Sequence, residues 1–123
     1  MPAKAYDLHG HRVLEVVDGE TLHTDRDASN VIGDAIGEHT DTVVVPVACL
    51  SPEFFVLRTR VAGEIVQKFT NYSLRLVILG DITPHVQAST ALRDFVHEAN
   101  QRTQLWFLPD RVAFEQRLAK EKR

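Results

Sequence analysis

Two hydroxyl side chains near the middle of the chain are candidates for phosphorylation. Ser51 stands directly before Pro52, which is typical of a helix start, and Thr59 stands near the beginning of the strongest helical periodicity in the sequence. A phosphate at a helix N-terminus would meet free backbone N–H groups and the positive end of the helix dipole. Alternatively, each hydroxyl only caps the turn or helix that follows it.

An acidic and a basic residue follow an apolar run that is typical of a buried strand. Asp81 comes directly after Gly80, and His85 lies a few residues further along the chain. Ligands bind beyond the carboxyl ends of the strands in open parallel sheets, so Asp81, His85 and Ser51 could face one crevice. An Asp–His pair in contact there could act as a general base. Alternatively, Gly80 and Asp81 form an ordinary turn after the strand.

A third group of polar residues lies on one face of a predicted helix. Arg93 and His97 are neighbours on successive helical turns, and so are Asp94 and Glu98. The pattern fits a ligand-binding cluster centred on Arg93 and Asp94, and it also fits a solvated helix face.

Two adjacent aromatic residues follow Ser51. Phe54 and Phe55 could be exposed anchors for a protein partner, or a lid that is folded onto the core. Cys49 has no second cysteine near it, so we interpret it as a small buried hydrophobic residue.

The chain holds six histidines, which raises the question of a metal site. His9 and His11 could project from one strand face with His23 nearby, but Gly10 between the first two indicates a turn. The sequence has no clustered His, Cys and acidic residues at metal-ligand spacing. We therefore expect histidines scattered over the surface, no metal and no cofactor.

The composition excludes several classes of protein. The 123 residues include 14 Lys and Arg against 17 Asp and Glu, and a net charge of −3 excludes a general electrostatic binder of nucleic acid. A single cysteine excludes an internal disulfide framework. The longest apolar run, residues 43–50, is far shorter than the roughly 20 residues of a membrane-spanning helix. Because the start lacks the pattern of a signal peptide, we expect a cytoplasmic protein with no membrane partner.

The elements that must position these residues follow from the hydrophobic periodicity. The order ββαβαβαβα predicts an α/β fold: one domain over residues 1–123, with a mixed, mostly parallel sheet covered by helices. The predicted elements are strands at 5–9 and 12–17, a helix with its stripe at 28–36, a strand at 42–47, a helix from about 58 to 69, a strand at 74–79, a helix capped by Ser89 or Thr90, a strand at 104–108 and a final helix after Pro109.

Local signals mark the boundaries of the first elements. Residues 18–19 predict a turn, and Thr24 with Asp27 predicts a capping box at the first helix. Gly37 is expected to end that helix in the left-handed conformation. Pro46 predicts that the following strand is short or bulged, because proline cannot donate a hydrogen bond to the sheet.

Several short sequence motifs resemble a bacterial family catalogued as domain of unknown function 4180. They are LSPEFF at 50–55, AGEIVQKF at 62–69 with NY at 71–72, and LRDFVHEAN at 92–100. The likeness covers roughly residues 10–118. Arg60 stands where the resemblance implies a glycine, and Ala91 stands where it implies a small hydroxyl residue.

At the level of the fold, the element order and the strand–turn–helix at residues 43–69 resemble a STAS domain. Domains of that kind occur in bacterial anti-sigma factor antagonists and in transporter tails, where they bind proteins or small ligands. The resemblance implies a phosphorylatable Ser or Thr after an Asp at the start of the second helix. The nearest residues here are Arg58 and Thr59, so the hydroxyl is present and the acid is not.

The leading hypothesis is a non-enzymatic STAS-like regulatory or binding module that acts through a protein partner. Its contact surface would be the 49–60 loop, with Ser51, Phe54, Phe55 and Thr59 at the partner. The alternative is a small-molecule-binding protein or enzyme whose site at the strand ends uses Ser51, Asp81 and His85. A third possibility is a structural homodimer.

Overall fold

The computed structural model describes residues 3–17 and 21–121, and it contains five strands, five α-helices and three short 3₁₀ turns within them. The predicted turn at 18–19 lies outside the described residues. The strands are β1 (Ala3–Leu8), β2 (His11–Val16), β3 (Thr42–Pro46), β4 (Arg75–Leu79) and β5 (Leu105–Leu108). The helices are α1 (Asp25–Gly37), α2 (Val61–Asn71), α3 (Thr83–Ala88), α4 (Thr90–Asn100) and α5 (Arg111–Ala119); the 3₁₀ turns span Val47–Cys49, Pro52–Phe55 and Leu57–Thr59.

The strands form a single sheet whose spatial order is the order in the chain, β1-β2-β3-β4-β5. β1 and β2 form an antiparallel hairpin, and every later neighbour pairs in parallel. Helices connect the parallel strands, because parallel neighbours need a crossover and cannot be joined by a tight turn. The predicted α/β class with a mixed, mostly parallel sheet is confirmed.

Alternation along the strands divides the core between the two faces of the sheet. Val43 and Val45 pack into the larger cluster, with buried residues of α1, α2 and α4. Val44, between them, points to the other face and joins a smaller cluster with Trp106 and with Phe114 of α5. In the described chain, α5 is thus the one helix that contributes buried residues to the second face.

Side-chain caps begin three of the helices. Thr24 and Asp27 form the predicted capping box at α1, with each side chain accepting from the other residue's backbone N–H. The Ser89 hydroxyl, and not that of Thr90, caps α4 by accepting from the Leu92 N–H. Asp110 caps α5 by accepting from the Ala113 N–H.

Two boundary predictions need correction, and the prediction that Pro46 shortens its strand is confirmed. Helix α2 begins at Val61 and not near residue 58, because Thr59 ends a 3₁₀ turn and Arg60 has a left-handed backbone (φ 65°). Gly37 is the last residue of α1, but the left-handed residue that follows the helix is His39 (φ 58°). Pro46 is the last residue of β3, so the strand is short and stays regular up to it.

The structure also contains helix α3, which the periodicity did not predict. It has six residues, begins with Thr83-Pro84 and has no buried residue. A helix that buries no side chain shows no apolar stripe, so its only sequence signal is the proline in the first turn.

Candidate functional site

The two predicted phosphoacceptors lie in the 49–60 loop and have different surroundings. The Thr59 hydroxyl is 2.8 Å from the carbonyl oxygens of both Glu53 and Val56, and it accepts from the Val61 N–H. The Ser51 hydroxyl does not cap the 3₁₀ turn that follows it; its oxygen is buried and has no hydrogen-bond partner among the described residues. Thr59 therefore ties the loop to the start of α2, whereas Ser51 carries a desolvated polar atom.

The interpretation of Phe54 and Phe55 as exposed anchors is wrong. Their side chains are 1% and 4% exposed, and the two rings meet edge to face with 5.3 Å between centroids. Phe55 also stacks on the His85 ring at 4.1 Å, with 11° between the planes. The second interpretation describes them correctly: the two rings fold onto the core, because burying that much apolar surface is worth more than exposing it.

The predicted strand-end residues have separate partners. Asp81 is exposed, and hydrogen bonds from the side chain and backbone of Thr83 lower its pKa. His85 stacks on Phe55, and among the described residues neither Ser51 nor Asp81 forms a hydrogen bond with it. Gly80 has φ 141°, and a Cβ there would lie 2.9 Å from Val47 Cγ2, which explains the glycine before Asp81. Asp81 and His85 form no hydrogen bond with each other, so the alternative of an Asp–His general base is not supported.

Arg93 and Asp94 lie on the solvent side of α4. Their side chains are 63% and 70% exposed, and Arg93 Nη2 is 3.6 Å from Asp94 Oδ1. An exposed pair of this kind contributes little to stability, about 0–1 kcal/mol. In the structure the two residues form a solvated helix surface.

A large concave surface of the described chain lies elsewhere, along the exposed face of α2. This surface, here called the α2 groove, has a volume of about 970 Å³. Its lining combines aliphatic, aromatic, amide and charged side chains: Asp25, Leu57, Arg60, Gly63, Glu64, Gln67, Lys68, Asn71, Tyr72 and Phe95. None of the predicted site residues is among them, although Leu57 and Arg60 belong to the 49–60 loop.

Polar pairs within the α2 groove fix part of its surface. Lys68 Nζ donates to Asp25 Oδ1 at 2.8 Å, and Gln67 Nε2 donates to Asn71 Oδ1 at 2.8 Å. Tyr72 is 54% exposed at the end of the helix. At Gly63 an added Cβ would meet no atom within 4 Å, so the groove is open above that residue.

A smaller polar pocket of about 430 Å³ lies at the amino ends of the parallel strands. Its central residue is His11, whose Nδ1 is 3.0 Å from Asp41 Oδ2 and whose Nε2 is 2.9 Å from the Glu121 carbonyl oxygen. Thr42 donates to the other Asp41 oxygen, and Arg75 Nη1 donates to Thr42. Burial lowers the pKa of Arg75, and the nearby carboxylates of Glu121 and Asp41 oppose that effect.

The expectation that the histidines are scattered over the surface is wrong for His11, which is 2% exposed. Both of its ring nitrogens face oxygen acceptors, so neither is free to act on a substrate. Its only sequence signal is a polar residue at the start of a strand. The partners come from Asp41 and Glu121, which are 30 and 110 residues away in the chain.

Two further features concern metals and membranes. Among residues 3–17 and 21–121, no group of three or more His, Cys, Asp and Glu side chains could hold a metal ion. His9 is exposed at the hairpin turn while His11 is buried, so the two do not converge. No helix of the described chain has the length and apolar character needed to cross a membrane.

Comparison with models of known protein families gives a match for this chain. The profile described as "Domain of unknown function (DUF4180)" matches residues 8–118, which is most of the sequence. The chain belongs to this family. No curated protein and no solved structure matches it. Membership in the DUF4180 family therefore confirms the first resemblance and assigns no activity.

The structure gives physical roles to residues in and next to the motifs that resemble DUF4180. Arg60, where the resemblance implies a glycine, has the left-handed backbone that glycine adopts without strain. Asn100 is the last residue of the motif at 92–100. Its side-chain amide donates to the Phe107 carbonyl and accepts from the Phe107 N–H. The motif at 62–69 forms most of α2 and supplies four residues to the α2 groove.

Proposed function

We propose that this DUF4180 protein is a non-enzymatic, STAS-like regulatory module that binds a segment of a protein partner in the α2 groove. The proposal keeps the predicted class of function and moves the contact surface. Phe54 and Phe55 are buried, so the 49–60 loop would contribute to binding through Leu57 and Arg60 at its end. The acid–base residues predicted for an enzyme have separate partners, which favours binding over catalysis.

The observation that carries the proposal is the size and mixed lining of the α2 groove. Its volume of about 970 Å³ lies at the upper end of the range for small-molecule sites, and the groove runs along one face of a helix. Leu57 and Phe95 provide apolar contact, and Tyr72 provides an aromatic ring with a polar end. Such a combination suits a peptide that buries apolar side chains between polar flanks.

The charges on the groove indicate the chemistry of that peptide. Lys68 is already paired with Asp25, whereas Arg60 and Glu64 form no ion pair within the described residues. A partner segment with one acidic and one basic residue beside an apolar core would pair with both. Opposite charges on the rim would set the orientation of the peptide more than its affinity.

The test is to fill the groove without disturbing the fold. Gly63→Leu adds a side chain where nothing lies within 4 Å of the new Cβ, and it improves helix propensity by about 0.5–1 kcal/mol. Gly33→Leu in α1 is the matched control, because that glycine is equally open and lies outside the α2 groove.

A displayed library of random peptides is selected on the wild-type protein, and the enriched peptides are tested by fluorescence anisotropy. We expect peptides with an apolar core whose binding weakens at least tenfold in Gly63→Leu and is unchanged in Gly33→Leu. Absence of enriched peptides, or equal binding to both variants, would show that the groove is not a peptide site.

A second candidate function is the binding of a small molecule near Ser51, and one observation favours it. The buried Ser51 oxygen has no hydrogen-bond partner among the described residues, and a ligand atom could supply one. Thermal-shift screening of a metabolite collection would test this function. A ligand that stabilises the wild type and not Ser51→Ala supports it, and a ligand that stabilises both equally contradicts it.

A further inference from the structure

We infer that two copies of this chain associate through antiparallel pairing of their β1 strands, which joins the two sheets into one. β1 lies at the edge of the sheet and pairs with β2 on one side. An edge strand presents a row of backbone donors and acceptors that can pair with another strand. The association involves a surface away from the α2 groove and does not rest on the proposed function.

The hairpin geometry identifies the backbone groups that point outward. His9 and Gly10 form a two-residue turn in which both φ angles are positive, 52° and 82°. The flanking pair in such a hairpin, Leu8 with His11, exchanges two hydrogen bonds, and the pattern alternates from there. The N–H and C=O groups of alternate β1 residues therefore point away from β2, and these residues are Ala3, Ala5 and Asp7.

The opposite edge of the sheet, at β5, is protected by a side chain. The Asn100 side-chain amide donates to the Phe107 carbonyl at 3.1 Å and accepts from the Phe107 N–H at 2.7 Å. It thus occupies the outward backbone groups in the middle of β5. For Ala3, Ala5 and Asp7, no corresponding hydrogen bond exists among the described residues.

A second copy fits this edge because the three outward positions are spaced symmetrically about Ala5. With a twofold axis at Ala5, each Ala5 faces its counterpart and Ala3 of one copy faces Asp7 of the other. Three hydrogen-bonded pairs then form without a gap.

Side-chain size and charge at the edge also suit this arrangement. Ala3 and Ala5 are small, and they line a cleft beside α1 together with Gly33 and Gly37. The charged residues of β1 already have opposite charges on β2: Lys4 lies opposite Glu15, and Asp7 is 3.6 Å from Arg12. With Ala5 on the axis, Lys4 of one strand faces Tyr6 of the other and Asp7 faces Ala3, so the two β1 strands place no like charges opposite each other.

The test uses a proline that blocks only the outer side of the strand. Ala5→Pro removes an outward N–H and is tolerated on the open side of an edge strand. The matched control is Thr90→Pro at the first position of α4, where helices accept proline. Sedimentation equilibrium is expected to give twice the chain mass of 13.9 kDa for the wild type and the control, and one chain mass for Ala5→Pro. Gly63→Leu is expected to remain dimeric.

Amide hydrogen exchange keeps the inference falsifiable if Ala5→Pro fails to fold. In the wild type, the amides of Ala5 and Asp7 should be protected at high concentration and lose protection on dilution. A monomeric wild type would overturn the inference and leave the edge to a strand from another protein. It would equally be overturned by a dimer that persists in folded Ala5→Pro, or by one in which those two amides exchange freely.

Discussion

The carboxyl ends of the parallel strands are closed by aromatic packing, whereas their amino ends are closed by a network of polar and charged side chains. At the carboxyl end, the 3₁₀ turn that follows Ser51 buries Phe54 and Phe55, and His85 stacks on the latter. At the amino end, buried His11 is hydrogen-bonded to Asp41 and to the backbone near the C-terminus.

This difference shows that the position of a residue at a strand end does not by itself make a site. Aromatic packing is nondirectional and stabilises through the apolar area removed from water. A buried polar network stabilises only when every member has its partner. The two ends should therefore respond differently when a single side chain is removed.

The largest effect is expected for Phe54 at the aromatic end. Phe54→Ala removes a fully buried ring and should lower the free energy of unfolding by about 3–5 kcal/mol. Urea denaturation followed by circular dichroism measures this change. A loss below about 1 kcal/mol would mean that the loop does not close the core in solution.

His11→Leu should disrupt the polar network at the amino ends of the strands. Loss of both ring hydrogen bonds removes one partner from the Asp41 carboxylate and the imidazole partner of the Glu121 carbonyl, at an expected cost of about 2–3 kcal/mol. The control is His23→Leu at an exposed position, which should change stability by less than about 0.5 kcal/mol. If the two variants unfold at the same urea concentration, the polar network does not stabilise the fold.

The carboxyl ends of the strands, where the aromatic rings pack, also hold the buried Ser51 hydroxyl, and its removal should stabilise the protein. Ser51→Ala deletes a buried oxygen that has no described hydrogen-bond partner, so the free energy of unfolding should rise by about 1–2 kcal/mol. The same denaturation experiment detects this gain. A loss of stability would mean that the hydroxyl has a partner in solution.

A smaller gain is expected where the loop joins α2. Arg60→Gly replaces a side chain in the left-handed region with the residue that adopts it freely, which should add about 1 kcal/mol. Arg58→Gly is the control: its backbone lies within a 3₁₀ turn, where glycine should give no gain. Equal effects of the two substitutions would exclude backbone strain as the cause.

The smallest effect concerns pH at the carboxyl end. Hydrogen bonds from Thr83 lower the pKa of exposed Asp81, so its contribution to stability is present above the ordinary Asp pKa and is lost as pH falls through the lowered value. An NMR titration of the Asp81 carboxyl carbon should give a midpoint below about 3.9. Thr83→Val should move the midpoint back toward that value, and an unchanged midpoint would contradict the assignment.

Most elements of the fold were predictable because their signals are local. Period-two alternation with a glycine identified the hairpin, and apolar stripes with Thr24 and Ser89 identified α1 and α4. The exact start of α2 was not predictable, because the left-handed Arg60 is set by a loop that Thr59 holds together. Helix α3 was missed because it has only six residues and none of them is fully buried.

The candidate site was less predictable than the fold. The alternative hypothesis from the sequence placed Ser51, Asp81 and His85 in one crevice, but the direction of each side chain depends on its packing. Phe55 occupies the face of His85, and Thr83 binds Asp81. The α2 groove combines residues of α1, α2, α4 and the loop, and no short sequence motif encodes such a combination.

The sequence by itself determined the α/β class, the number of strands, the capping box of α1 and the family. These properties depend on neighbouring residues, whose hydrophobic period and hydrogen-bonding groups act over a few positions. Tertiary structure alone decided that Phe54 and Phe55 are buried, that His11 meets Asp41 and Glu121, and that Asn100 binds the outer backbone groups of β5. Those outcomes depend on contacts between residues far apart in the chain, which form only when the helices pack on the sheet.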